Sequence, residues 1–184
     1  SRVLTKAVVN AAGPAVLKLL EHFDGHIPDP NEAIRLVRGS HIVVLKLFEH
    51  DRAYFFQNPD GRIFFAIPYE ADFTLIGTTD ADHVTGLDKI HATPEEIEYL
   101  CGAANAYFRR AITPGDVVWS YSGVRPLVDD GSGKPETASR GYHFDLDLDA
   151  NGALPMLSVF GGKITTHRHL AETALAELTP YFPA

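Results

Sequence analysis

A single cysteine, Cys101, one methionine and one tryptophan occur in 184 residues. One cysteine excludes an internal disulfide and any multi-cysteine metal site. No apolar run approaches the roughly 20 residues that a membrane-spanning helix needs. Residues 1–9 also lack the long apolar centre of a secretory signal. Basic residues are few: 16 Lys and Arg stand against 24 Asp and Glu, for a formal net charge of -8. That balance argues against a general nucleic-acid binder, because phosphate backbones attract basic faces. With 45% hydrophobic and 22% charged residues, the chain has the composition of a folded domain with one sizeable core.

Several motifs are missing as well. There is no Gly-x-Gly-x-x-Gly fingerprint and no Gly-x-Ser-x-Gly elbow. Gly131-Ser132-Gly133-Lys134 lacks a third glycine. Asp147, Asp149, Asn151 and Gly152 match the opening of a calcium loop, but the twelfth position is Ser158 instead of a bidentate Glu. Their alternation with Phe144, Leu146 and Leu148 reads better as the solvated face of a strand. His22 and His26 flank Gly25, and His167 and His169 point in different directions on a helix. No metal site is expected.

What is present reads as α+β. Residues 3–10 form an apolar strand that ends in the small-residue turn Ala11-Ala12-Gly13-Pro14, followed by one or two helical turns to residue 23 and a Pro-containing loop to residue 31. From residue 34 the pattern is one of short strands, over 40–47, 53–57, 62–68 and 73–77, with Asn58-Pro59-Asp60-Gly61 as a tight turn. Such spacing predicts an antiparallel sheet. A helix is expected over 94–110, where Thr93 caps, Pro94 begins and Glu96 closes a capping box. Ile97, Leu100, Cys101, Ala104 and Phe108 form its buried face, so Cys101 reads as core. A strand over 117–128, a loop over 129–139 and a hairpin through Asn151-Gly152 follow, with residues 154–160 as the second arm. The final helix carries Ile164, His167, Ala171, Ala174, Leu175 and Leu178 on one face.

Two places combine chemistry with position. At Ser158-Val159-Phe160-Gly161-Gly162-Lys163-Ile164-Thr165-Thr166 a strand runs through two glycines into a helix. Glycines permit close backbone approach, the helix start offers N–H groups, and Lys163 adds a full charge. A plain strand-to-helix turn with a surface lysine accounts for it equally well. Arg125 lies within the otherwise apolar Tyr121-Ser122-Gly123-Val124-Arg125-Pro126-Leu127, and Arg140 follows the next loop. A guanidinium there needs an anionic partner, either a phosphate or carboxylate ligand or one of the many acidic side chains.

Arg38-Gly39-Ser40-His41-Ile42-Val43-Val44, Ile76-Gly77-Thr78-Thr79-Asp80, Tyr121 to Leu127 and Phe160 to Thr166 occur in this order. The ordered set resembles the FAD-dependent, quinone-linked glycerol-3-phosphate dehydrogenases, and Asn10-Ala11-Ala12-Gly13-Pro14 is similar to that family's turn out of the FAD domain. The resemblance covers essentially the whole chain. It implies an amino-acid-oxidase-like flavoprotein fold, with residues 1–33 ending an FAD-binding domain, 34–157 forming the substrate domain and 158–184 returning to the flavin. It further implies that Ala12, Gly13, Gly161, Gly162, Lys163, Ile164 and Thr165 face the cofactor. His41, Arg125, Arg140 and Lys163 would bind substrate, with His41, Arg125 and Lys163 also catalytic. His41, Lys163 and Arg125 all remain candidates for handling the C2 hydroxyl proton, and residues 78–80 read as a structural turn.

The implied activity is oxidation of sn-glycerol 3-phosphate to dihydroxyacetone phosphate, with electrons passed through FAD to a quinone. A cytoplasmic protein attached peripherally to the inner membrane follows, and a homodimer is compatible with it. The family's nucleotide fingerprint, an arginine of its first half and its C-terminal helical domain have no counterpart here, and His167 stands where an aromatic is expected. The chain alone is therefore expected to be an inactive internal piece that holds FAD weakly. Rival readings are an amine or amino-acid oxidase of the same superfamily and a non-catalytic anion-binding domain.

Overall fold

The strands expected from residue 34 onward form, the first running over Ile34–Leu45 instead of the expected 40–47. A computed structural model describes residues 3–22, 34–128, 141–149, 152 and 154–182. The elements are β1 (Val8–Asn10), α1 (Val16–Leu20), β2 (Ile34–Leu45), β3 (Tyr54–Gln57), β4 (Ile63–Tyr69), β5 (Phe73–Gly77) and β6 (Ala81–Asp82). They continue with α2 (Pro94–Asn105), β7 (Val117–Val128), β8 (Tyr142–Leu148), β9 (Pro155–Gly161) and α3 (His167–Leu178). The chain divides into two compact units, residues 37–124 and residues 1–36 with 125–184.

Residues 37–124 are built on a sheet of order β3-β4-β5-β2-β6, with β7 also pairing with β2. The β3–β4, β4–β5, β5–β2 and β2–β6 pairings are antiparallel. Register follows the apolar alternation: Ile42, Val44, Phe64, Ala66 and Ile76 point to one face and pack with Leu100, Cys101 and Ala104 of α2. Cys101 is 3% exposed within this core, as its place in the helical repeat predicts. Burial, then the charges of Asp116 and Glu98, pushes its thiol pKa up, so it serves as a small apolar residue.

Helix α2 begins as expected. The Glu96 N–H donates to Thr93 Oγ1 at 3.3 Å, and the Thr93 N–H donates to Glu96 Oε2 at 3.0 Å. It ends at Asn105, short of the expected residue 110. The Asn105 amide donates to the Ile112 carbonyl and its oxygen accepts the Ile112 N–H, both at 2.8 Å. Those two bonds hold a turn that a continuing helix would not permit. Phe108 still reaches the core, where it stacks on Phe48 with ring centroids 5.6 Å apart.

The other unit carries a three-stranded sheet of order β1-β9-β8. Strand β9 lies in the middle, antiparallel to β8 and parallel to β1, with Val8, Val9 and Asn10 opposite Met156, Leu157 and Ser158. Every residue from Pro155 to Phe160 is buried, as a central strand covered on both faces requires. Val16, Leu20, Met156 and Phe160 form the associated core. Strand β1 is shorter than the expected 3–10, since Val3 and Leu4 are 80% and 87% exposed. The loops expected over 24–31 and 129–139 fall outside the described residues, as does His26.

Candidate functional site: a glycine-lined sheet end and a clamped histidine

Parallel pairing of β1 and β9, with Asn10 opposite Ser158, directs the turns that leave them to the same end of the sheet, the second after three further residues of β9. The first is Ala11-Ala12-Gly13, where Gly13 has φ 56°. Asn10, 1% exposed, steadies it by donating from Nδ2 to the Val16 carbonyl at 3.1 Å while Oδ1 accepts the Ala12 N–H at 3.4 Å. The second is Gly161-Gly162-Lys163, with φ 77° and 95° at the glycines. These angles are strained for any residue with a Cβ. The Gly162 N–H donates to the Gly141 carbonyl at 3.0 Å. A Cβ at Gly162 would come 2.9 Å from Leu170 Cδ1, so the glycine also lets α3 approach.

The helix does not follow the glycines directly, as the sequence suggested. A 3-10 turn, Ile164–Thr166, intervenes and α3 starts at His167. Lys163, Ile164 and Thr165 are exposed in this connection. The α3 face expected from Ile164, Ala171 and Leu175 is open in this chain, with Ile164 85% and Leu175 64% exposed, while Leu178 is buried. All seven residues singled out for cofactor contact, Ala12, Gly13, Gly161, Gly162, Lys163, Ile164 and Thr165, therefore lie at one end of one sheet. Open backbone at the carboxyl ends of parallel strands is where α/β sheets take up ligands, and the absence of side chains at Gly13, Gly161 and Gly162 fits a flat, polar-edged group such as a flavin.

In residues 37–124, His41 projects from β2 on the sheet face opposite α2. Its Cα partner on β5 is Gly77, and any Cβ there would overlap the imidazole. On the ring's other side lies Tyr121 of β7, with centroids 4.8 Å apart and planes 2° from parallel. Burial, then the charge of Tyr69, pushes the Tyr121 phenol pKa up. Beside this pair, Ser40 Oγ and Ser122 Oγ share a hydrogen bond of 2.8 Å that ties β2 to β7.

The Thr78-Thr79-Asp80 turn is a structural junction through Thr79. Thr79 Oγ1 accepts the Ser40 N–H at 2.9 Å and donates to Glu96 Oε1 at 2.8 Å. Glu96 also pairs with Arg38, whose Nη2 lies 3.1 Å from Oε2. Burial pushes the Glu96 carboxyl up, but hydrogen bonds from the Thr93 backbone, Thr79, Arg38 and Ser40 outweigh it and leave the pKa lowered. Arg38, Gly77, Thr79, Glu96 and Tyr121 had no assigned site role in the sequence reading. Arg38, Gly77, Thr79 and Tyr121 stand within the motifs that carry the resemblance, and Glu96 at the third position of a capping box, but none of these signals marks the contacts they make here.

Arg125 is half-buried on β7. Arg140 lies outside the described residues. Lys163 is exposed and begins the 3-10 turn.

Known proteins resemble this chain along nearly its whole length. It is 46% identical over 178 residues to the aerobic glycerol-3-phosphate dehydrogenase of Escherichia coli strain K12, covering 96% of the chain and 35% of that protein. It is 45% identical over 178 residues to D-erythritol 1-phosphate dehydrogenase of Brucella abortus strain 2308, covering 97% of the chain and 35% of that protein. The X-ray structure of glycerol-3-phosphate dehydrogenase from Bacillus halodurans complexed with FAD superposes with a TM-score of 0.74 at 30% identity, over 97% of this chain and 32% of that one. The chain thus spans about a third of the length of these relatives. The family described as FAD dependent oxidoreductase matches residues 1–168, and the chain belongs to that family, whose cofactor is FAD.

Proposed function

We propose that the protein containing this chain oxidises sn-glycerol 3-phosphate to dihydroxyacetone phosphate and passes the electrons to a quinone. The observation that carries this reading is the convergence of two glycine turns and Lys163 at the carboxyl ends of β1 and β9, in a chain 46% identical to an aerobic glycerol-3-phosphate dehydrogenase. FAD supplies the two-electron acceptor for the hydride leaving substrate C2. The backbone of residues 161–165 and Ala12-Gly13 would hold its ring edge, and the Lys163 charge would stabilise negative charge there. Arg125 and Arg140 would grip the substrate phosphate, for which a guanidinium fork is suited. His41 would bind the C2 hydroxyl and serve as a candidate acceptor of its proton.

In this reading residues 34–157 serve the substrate, while 1–33 and 158–184 serve the flavin. Among the described residues no helix is long and apolar enough to cross a membrane. Delivery of electrons to a quinone calls for access to a membrane, and the family resemblance is the ground for reading that as peripheral attachment at the cytoplasmic face of the inner membrane. The likeness to a D-erythritol 1-phosphate dehydrogenase favours a second substrate within the same chemistry, a longer polyol phosphate.

The test uses the full-length protein loaded with FAD and mixed anaerobically with glycerol 3-phosphate, D-erythritol 1-phosphate or amino acids. Rapid flavin bleaching by a polyol phosphate, lost in Arg125→Ala, is the expected result. Bleaching by an amino acid alone would replace this reading with an oxidase. A flavin that stays oxidised with every candidate favours a non-catalytic anion-binding role.

A further inference from the structure

We propose that Tyr121 is a positioning residue for His41, holding the imidazole flat against the backbone of Gly77 so that only its edge meets the substrate. The proposal rests on the reading of His41 as a substrate-pocket residue and adds to it the device that aims the ring.

Four observations carry it. A histidine on a strand can turn about two side-chain torsions, and walls on both faces of the ring restrict that freedom. Gly77 is one wall, because the missing Cβ leaves a slot whose volume the imidazole fills. The Tyr121 ring is the other, stacked at 4.8 Å and parallel within 2°. Tyr121 is itself braced: Trp119, two residues earlier on the same strand face, lies against it at 5.2 Å. The register that brings the rings together is held next door by the Ser40–Ser122 hydrogen bond.

Packing alone would be met by any apolar side chain. A parallel aromatic ring instead restrains orientation, and its electron-rich face also accommodates an imidazole that has gained a proton. A phenol carries no charge at physiological pH, so Tyr121 presents none that competes. The hydroxyl is not needed for the stack, so phenylalanine should replace tyrosine and leucine should not.

The experiment is a double-mutant cycle in the full-length, FAD-loaded protein with glycerol 3-phosphate as substrate. Tyr121→Phe is expected to keep kcat within about twofold, while Tyr121→Leu lowers kcat by about 10-fold or more and moves KM by less than about threefold, the pattern of a misaligned reacting group. In a His41→Asn background, Tyr121→Leu should cost less than about twofold further, because a residue acting through another loses its effect when that partner is gone. A readout independent of turnover is the rate at which diethyl pyrocarbonate modifies the His41 peptide, followed by mass spectrometry. It should rise several-fold in Tyr121→Leu and stay unchanged in Tyr121→Phe.

An equal kcat loss in the His41→Asn background, or an unchanged modification rate in Tyr121→Leu, would overturn the proposal while leaving the substrate role of His41 standing. Full activity of His41→Asn would instead remove the underlying reading and the catalytic part of this one with it. The modification rates would still report whether the clamp exists.

Discussion

Arg38 on β2 and Glu96 in the first turn of α2 form an ion pair with side chains only 13% and 9% exposed. The same carboxylate closes the capping box with Thr93 and accepts the Thr79 hydroxyl. One side chain thus joins the helix start, the central strand and the turn after β5. Opening such a buried pair from one side leaves an uncompensated charge, at a cost of about 3–5 kcal/mol.

Glu96→Gln keeps the shape and removes the charge. We expect a loss of about 2–4 kcal/mol in urea unfolding of the full-length protein, since part of the hydrogen bonding survives. The pH dependence follows from the lowered pKa. The ionised form contributes stability that is present above the ordinary value of 4.5 and lost as pH falls through the lower folded value. Acid titration of stability should therefore fall less steeply in Glu96→Gln than in the wild type. Equal slopes would show that Glu96 is not among the groups linked to acid unfolding.

Thr93→Ala removes only the cap acceptor. The expected cost is about 1 kcal/mol, with the Arg38–Glu96 pair intact. A loss above about 3 kcal/mol in thermal unfolding would mean that the cap also holds the ion pair in place.

Gly162→Ala meets two penalties at once, a φ of 95° and the Leu170 methyl. Gly13→Ala meets only the backbone term, since nothing lies within 4 Å of the added Cβ. We expect about 1–3 kcal/mol for the first and about 1 kcal/mol for the second. Leu170→Ala should recover part of the Gly162→Ala loss. A cost for Gly162→Ala no greater than that of Gly13→Ala would rule out the steric part.

Gly77→Ala forces its methyl into the His41 imidazole. Overpacking of this kind costs about 1–3 kcal/mol. In a His41→Ala background the slot is empty, and the same change should become nearly neutral. Thermal unfolding of the four proteins of this cycle decides it, and an equal cost in both backgrounds would place the strain elsewhere.

Elements whose cause is local were readable from the residues that form them. The residue pattern predicts strands over 73–77 and 117–128, and the structure has both with these bounds. The capping box at Thr93 and Glu96 marked the start of α2. Its end was not readable, because Asn105 looks like a helical residue until its bonds to Ile112, seven positions on, are seen. For the same reason the sequence placed His41 and Tyr121 in separate motifs, and only the pairing of β2 with β7 brings the rings together. The glycines of β9 and the turn after β1 were singled out individually. Their adjacency depends on a parallel pairing that local patterns do not encode.

The pairing of β1 with β9 also has a consequence for how the molecule comes into being. A ribosome delivers Val8 long before Met156, so the β1-β9-β8 sheet must await residues 155–161 while residues 37–124 hold the material for a core of their own. Slow closure of distant partners after rapid local assembly is the ordinary kinetic result of such an arrangement. The same interleaving suits exchange by recombination: a foreign module spliced in at the two crossover points, in place of residues 37–124, would leave the early and late strands free to meet as before.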